Sequence, residues 1–444
     1  MSQQGVVDIL NTQSGLANAL PLELIDAIVE NNRDDKESLL ASSCVSKSWR
    51  AASLRHLFST ANFWSDDDFT RWREIGSYLP QVPLYVRKVI FEPEVKSIAV
   101  ENEASWQTPV EELEQFVFHE LEIVSNPPGI QLPDMPRVHT LVWNTPLSLS
   151  LPITCTPETR QFISMFCFLK EVEFTGRFAT VSDAKEFFGL LPPIEVLNIE
   201  GIDIEEAGSS GQSPVFTSDM TNLRRLSVEE CVTPLDWLVD DILAVSCPAN
   251  LQSMRYEDGL PFSQKAFTRL LALSSESLQE LIIHPPSDER TISGGWEKMP
   301  HFTNQAFPSL TSLTFCFIQL GLPFKPLFSI NWCRRVIEAL PPAPKMTSLT
   351  MHFDAIHPED TDEIVADQSF DWKQLSERTS ELFPELKRFV IYIFMRTDFG
   401  TRRKALSRSE ALLEERLEHF GNKLVIQWVD ENPHLSGNID WDSE

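Results

Sequence analysis

Three groups of side chains in this sequence have types and spacings that could do chemistry. Two are short clusters of metal-ligating residues, "WSDDDF" (64–69) and "HFDAIHPED" (352–360), where carboxylates and imidazoles together could hold a divalent cation. The third is a set of glutamates, Glu173, Glu200, Glu229 and Glu257, that recur at related positions along the chain with Arg255 among them. The first two resolve simply. Asp66, Asp67 and Asp68 read as a solvated helix cap or charge run, and His352 and His357 stand five apart, off the i, i+4 spacing that puts two imidazoles on one helix face, so they read as loop residues. The sequence has no phosphate-cradling glycine loop, no H-E-x-x-H and no G-x-S-x-G. No catalytic constellation, cofactor or metal is therefore expected.

The glutamates need elements to position them, and a recurring pattern supplies these. From residue 80 onward the chain repeats an apolar residue, two of any kind, an apolar residue, one of any kind and an apolar residue, at intervals of 25 to 40 residues. The copies are Val86-Val89-Phe91, Leu113-Phe116-Phe118, Val138-Leu141-Trp143, Leu169-Val172-Phe174, Ile194-Leu197-Ile199 and Leu223-Leu226-Val228. They continue as Leu251-Met254-Tyr256, Leu278-Leu281-Ile283, Leu310-Leu313-Phe315, Met346-Leu349-Met351 and Leu386-Phe389-Ile391, with a last strand expected at Leu424 to Val429. Many copies follow a helix-like segment and a turn, as in "SDAKEFFGLLPPIEVLNIE". A helix-turn-strand unit cannot cover its own apolar faces, and stacking neighbours removes them from water. The reading is an α/β chain whose parallel strands line one side and whose helices line the other. It resembles an irregular leucine-rich-repeat solenoid, although the Asn or Cys normally three residues past each motif occurs only as Cys231.

Strand alternation turns the motif residues inward and exposes the residue after each motif. That column reads Asn144, Thr175, Glu200, Glu229, Glu257, His284, Cys316, His352 and Tyr392, with Glu173 beside it. Stacked carboxylates on strands about 4.8 Å apart repel unless a cation lies among them. The expectation is a face for a basic substrate segment, read by Glu173, Glu200, Glu229 and Glu257 and partly neutralised by Arg255. Three stretches, 201–216, 284–302 and 352–370, read as long loop insertions.

With 65 acidic and 37 basic residues the chain carries a formal charge of -28, which repels nucleic-acid phosphates and anionic lipid headgroups at long range. Neither nucleic acid nor membrane is an expected partner, and a basic protein segment is easier to accommodate. The seven cysteines are scattered without a C-x-x-C pair, which fits a reducing compartment. The N-terminus lacks a basic, apolar leader and no run reaches the ~20 apolar residues of a spanning helix, so the expected location is cytoplasmic or nuclear.

Ahead of the repeats, "ANALPLELIDAIVENNRDDKESLLASSCVSKSWRAASLRHLF" (17–58) reads as three short helices. Pro21 suits a helix start, Leu22, Leu24, Ile25, Ile28 and Val29 give a wide apolar face, and Asp34, Asp35 and Ser46 are good caps for the second and third helices. Leu20-Pro21-x-Glu23-Leu24, then Leu39-Leu40, then Val45-Ser46-Lys47-x-Trp49-Arg50 resemble an F-box, particularly in its fungal versions. The resemblance implies docking on the Skp adaptor and, through it, a cullin and the ubiquitin-transfer machinery, with contacts from Leu20, Pro21, Leu24, Ile25, Ile28, Leu40, Val45 and Trp49. It implies a non-catalytic substrate adaptor of an SCF-type ubiquitin ligase. The alternative is a free-standing repeat scaffold whose first helices only cap the repeats. The expected organisation is a tail at 1–16, the F-box at 17–60, a helical connector at 61–80, the solenoid at 81–430 and an acidic tail at 431–444.

Overall fold

The computed structural model describes residues 20–93, 126–145, 152–206, 220–229, 231, 233, 235–243, 250–256, 264–285, 306–320, 328–355, 371–395, 411 and 413–429. The chain forms two compact units, one of Met1–Ile194 with Ile204–Pro214 and one of Glu195–Asp203 with Val215–Glu444. The expected tails and the motif copy at Leu113 to Phe118 lie outside the described residues.

The first unit opens with three helices, α1 (Leu22–Glu30), α2 (Lys36–Ser43) and α3 (Lys47–Leu57). Strand β1 (Thr60–Phe63), helix α4 (Asp66–Tyr78), a 3₁₀ turn (Pro83–Tyr85), β2 (Lys88–Phe91), β3 (Thr140–Asn144), α5 (Pro157–Ser164), β4 (Glu171–Thr180) and α6 (Val181–Gly189) follow. β1 to β4 pair in chain order and all pairs are parallel. The expected connector at 61–80 is thus partly sheet. Phe58, Ala61 and Phe63 carry the same apolar spacing as the later motifs, with alanine in the middle place, and Ala61 and Phe63 are fully buried.

The second unit holds β5 (Val196–Glu206, its last residues in the first unit), β6 (Arg225–Glu229), β7 (Ser253–Tyr256), α7 (Gln264–Ser274), β8 (Glu280–Ile283) and β9 (Ser312–Leu320). It continues through α8 (Phe328–Ala339), β10 (Ser348–Ala355), α9 (Trp372–Leu382), β11 (Arg388–Met395) and β12 (Leu424–Val429). These strands also pair in chain order and in parallel. Parallel neighbours need a crossover connection, and among the described residues helices supply it at several of them, as α5 does between β3 and β4 and α6 between β4 and β5. The result is an α/β architecture compatible with a solenoid.

Every described motif copy supplies a strand, and each of its three residues is at most 3% exposed. Burying such side chains contributes roughly 1.5–3 kcal/mol apiece. The strand entries are held by a repeated backbone arrangement in which one carbonyl accepts two consecutive N–H groups of the next strand. Ser59 O receives Arg87 N and Lys88 N at 2.7 and 3.0 Å, Arg87 O receives His139 N and Thr140 N, and His139 O receives Lys170 N and Glu171 N. Arg224, Gln252, Gln279, Thr311 and Thr347 do the same in the second unit. This backbone ladder satisfies polar groups at these turns between neighbours, so register there is fixed without a recurring Asn side chain.

Two expected insertions are shorter than their sequence suggests. Residues 201–206 prolong β5 past Gly201, whose φ of 87° lies in the left-handed region that glycine enters without a Cβ clash, after which Ile202 and Ile204 are buried again. Likewise His352 to Ala355 belong to β10.

Candidate partner-docking surface

The three opening helices are closed by their own small core. Ile25 and Val29 of α1, Leu39 of α2 and Ala52 of α3 are each about 2% exposed or less, with Trp49 and Leu57 packed against them. Pro21 stands just ahead of α1, and its carbonyl accepts the N–H groups of Leu24 and Ile25 at 3.1 and 3.2 Å. Asp35 caps α2, taking the hydroxyl of Ser38 at 2.6 Å and its N–H at 3.1 Å. Those bonds, the hydroxyl first, hold the Asp35 carboxyl below its usual range. Ser46 caps α3 through Trp49 N. Surface pairs join α3 to α1, Arg55 to Asp26 at 3.7 Å and His56 to Glu30 at 3.4 Å; exposed pairs of this kind contribute little.

What this core leaves outside is apolar. Leu22 is 61% exposed, Leu24, Leu40 and Val45 51% each, Ile28 41% and Leu20 37%. Leu24 and Ile28 lie one turn apart on the outer side of α1, and Leu40 and Val45 sit on α2 and in the turn to α3. Of the contact residues expected from sequence, Leu20, Pro21, Leu24, Ile28, Leu40 and Val45 face solvent. Ile25 instead belongs to the internal core and Trp49 packs against it. α1 has two apolar stripes, and the buried one is the stripe that meets Ala52 and Trp49. Leu22, the most exposed, was missed because it fills the unspecified place of the motif; its signal was simply a leucine on the first helical turn.

The described glutamates fall in both units. Glu173 is in the first unit, on β4, with its carboxylate 3.8 Å from Lys88 Nζ; burial, opposed by Lys88, raises its pKa. In the second unit Glu200 is exposed and opposite Glu229 in register on the neighbouring strand. Glu229 accepts the Ser227 hydroxyl at 2.8 Å and pairs with Arg255 Nε at 3.0 Å, while Glu257 lies outside the described residues. Arg255 therefore neutralises one glutamate directly. Further along the same column the expected exposure fails: His284 is 3%, Cys316 0% and His352 8% exposed. The His352 ring lies against Tyr392 with ring centres 4.8 Å apart and planes tilted by 33°, and burial, then His284 and Arg255, push its pKa down to about 4.

The metal readings end similarly. Asp68 closes the start of α4, its carboxylate accepting Ser65 N–H and Trp64 N–H at 3.0 Å each, and residues 356–360 lie outside the described residues. Among the described residues no cluster of three or more His, Cys, Asp or Glu side chains is placed to hold a metal, and no helix is long and apolar enough to cross a membrane. Compared with models of known protein families the chain matches none, and no curated protein sequence matches it.

Proposed function

We propose that the three-helix segment from Leu20 to Leu57 docks on a Skp-type adaptor, and that the chain is the non-catalytic substrate-recognition subunit of an SCF-type ubiquitin ligase. The observation that carries this reading is the exposed apolar set Leu20, Leu22, Leu24, Ile28, Leu40 and Val45 around a module whose core is already complete. A module that served only as a cap would turn its apolar residues toward the repeats. Here they are left for a partner to bury, and an exposed set of large apolar side chains marks an interaction site. In this reading the strand-and-helix repeats hold a protein target, and the ligase gains its rate by keeping target and transfer machinery at high effective concentration. The chain works in the cytoplasm or nucleus and needs no cofactor of its own.

The test is capture of purified Skp adaptor by the full chain, beside the double variant Leu24→Asp with Leu40→Asp. Both side chains are half exposed, so the variant should keep the wild-type circular dichroism. Wild-type capture that the variant loses supports docking through this face. Absence of capture by either protein removes the ubiquitin-ligase reading and leaves a repeat scaffold.

A further inference from the structure

The turns that lead into β2, β3 and β4 expose a basic surface in this acidic chain. Val86, Val138 and Leu169 are the buried first residues of the three motifs, at most 2% exposed. The residues on either side of each point outward. Following them are Arg87, His139 and Lys170, all exposed, and their backbones are the successive steps of the ladder described above. Preceding them are Tyr85, Arg137 and Phe168, of which Arg137 is exposed and Phe168 is 65% exposed; Leu84, one place earlier, is 42% exposed. Strands in a parallel sheet are about 4.8 Å apart, so Arg87 and Lys170 are about 10 Å apart with His139 between them. None of these positions is acidic. The carboxylates adjoining them in sequence are Asp134, which is exposed, and Glu171, which accepts the Thr140 hydroxyl at 3.1 Å. The equivalent ladder positions in the second unit, Glu195, Arg224, Gln252, Gln279, Thr311, Thr347 and Lys387, mix signs and neutral side chains. A basic and aromatic edge in a chain of formal charge -28 is a local feature.

We propose that this strand-entry edge of the first unit binds an acidic peptide segment of a protein partner, carboxylates lying along Arg87, Arg137 and Lys170 and an apolar side chain resting on Phe168 or Leu84. An extended peptide advances about 3.3 Å per residue, so roughly three residues cover the distance from Arg87 to Lys170. Guanidinium groups favour carboxylates because their fork of donors matches the two oxygens, and exposed aromatic side chains are the usual anchors of such contacts. Burial and Arg87 hold the His139 imidazole below its usual pKa, with Lys170 adding to the effect and Glu171 opposing it, as expected where positive charge gathers. Polyanions of other kinds are disfavoured by the net charge of the whole molecule, which repels long nucleic acids and anionic bilayers but much less a short peptide. The α3 helix contacts the 3₁₀ turn that carries Leu84, so the edge starts where the helical module ends, yet nothing in the proposal depends on what that module binds.

The test uses the full chain and a fluorescein-labelled peptide of alternating Glu and Leu, read by anisotropy. Saturable binding is expected, weakening with added salt, by at least about tenfold in the double variant Arg87→Glu with Lys170→Glu and by about fivefold in Phe168→Ala. All three side chains are exposed, so circular dichroism and adaptor capture by the opening helices should not change, which separates this result from the fate of the ligase reading. The proposal is overturned if the peptide does not bind, if binding ignores both variants, or if a single-stranded oligonucleotide or phosphatidylserine vesicles bind as tightly as the peptide.

Discussion

Glu229 on β6 and Arg255 on β7 form an ion pair with 3.0 Å between Oε1 and Nε, and both side chains are largely buried at 18% and 10% exposure. Removing one member of such a pair leaves a charge without its counterion in a poorly solvated place, which costs about 3–5 kcal/mol, whereas replacing both by apolar side chains is often close to neutral. Arg255→Met alone should therefore be strongly destabilising, more so because Glu200 stands opposite Glu229 on the next strand. Arg255→Met with Glu229→Met should recover most of the loss. Urea denaturation of the two variants checks this; equal losses would mean that the pair contributes only as packing.

Acid should weaken the second unit through His352. Its folded-state pKa of about 4 lies below the unfolded value near 6.5, so between those limits the unfolded chain binds the extra proton. Stability from this residue is complete above about pH 6.5 and is lost as pH falls toward 4. The loss from pH 7 to pH 4.5 amounts to on the order of 2–3 kcal/mol. In His352→Gln that part of the pH dependence should vanish, while the contribution of every other group stays in both proteins. Urea midpoints at the two pH values give the comparison, and parallel losses in both proteins would place the acid sensitivity elsewhere.

Much of the strand framework can be read from the sequence because its cause is periodic. A triad such as Leu197-x-Ile199 after Ile194 must put its apolar side chains together, and all three are fully buried. β1 hides behind the same physics, since Ala61 gives too little apolar signal in the middle of the Phe58 to Phe63 pattern. Alternation also separates two faces without saying which is covered. Glu200 and His352 occupy the same column, yet one is exposed and the other is 8% exposed. At the opening helices the residue types were legible but not their division, because Leu24 and Ile25 both sit at helical spacing and only the position of α3 decides which one turns inward. The basic edge escaped notice because Arg87, His139 and Lys170 are up to 83 positions apart and come together only through the backbone ladder.

Thiol reactivity should divide the cysteines sharply. Cys44 and Cys167 are exposed, whereas Cys155, Cys231, Cys316 and Cys333 are buried. Burial, then the carboxylates of Glu186 and Asp183, push the Cys155 thiol up to about 12, and burial raises Cys333 as well. Since the thiolate is the reactive form, native protein carrying Cys44→Ser and Cys167→Ser should lose two rapidly labelled equivalents with a chromogenic disulfide reagent. A loss of fewer than two would mean that one of these positions is covered in solution.

Phe162 and Phe168 are six residues apart and should respond in opposite ways to truncation. Phe162 on α5 is 4% exposed and its ring lies 5.2 Å from Phe166, 5.9 Å from Phe69, 6.0 Å from Phe63 and from Phe91, and 6.1 Å from Trp143. It thus ties a helix to strands β1, β2 and β3 at once, and its loss removes contacts that no neighbour can restore without moving. Phe162→Ala should cost about 3–5 kcal/mol. Phe168, in the turn before β4, is 65% exposed, so Phe168→Ala should change stability by no more than about 0.5 kcal/mol. Chemical denaturation followed by tryptophan fluorescence measures both, Trp72 and Trp143 being in the same unit. If Phe168→Ala proved as damaging as Phe162→Ala, that ring would be part of the core, and it could not serve as the open anchor on which the peptide-binding edge relies.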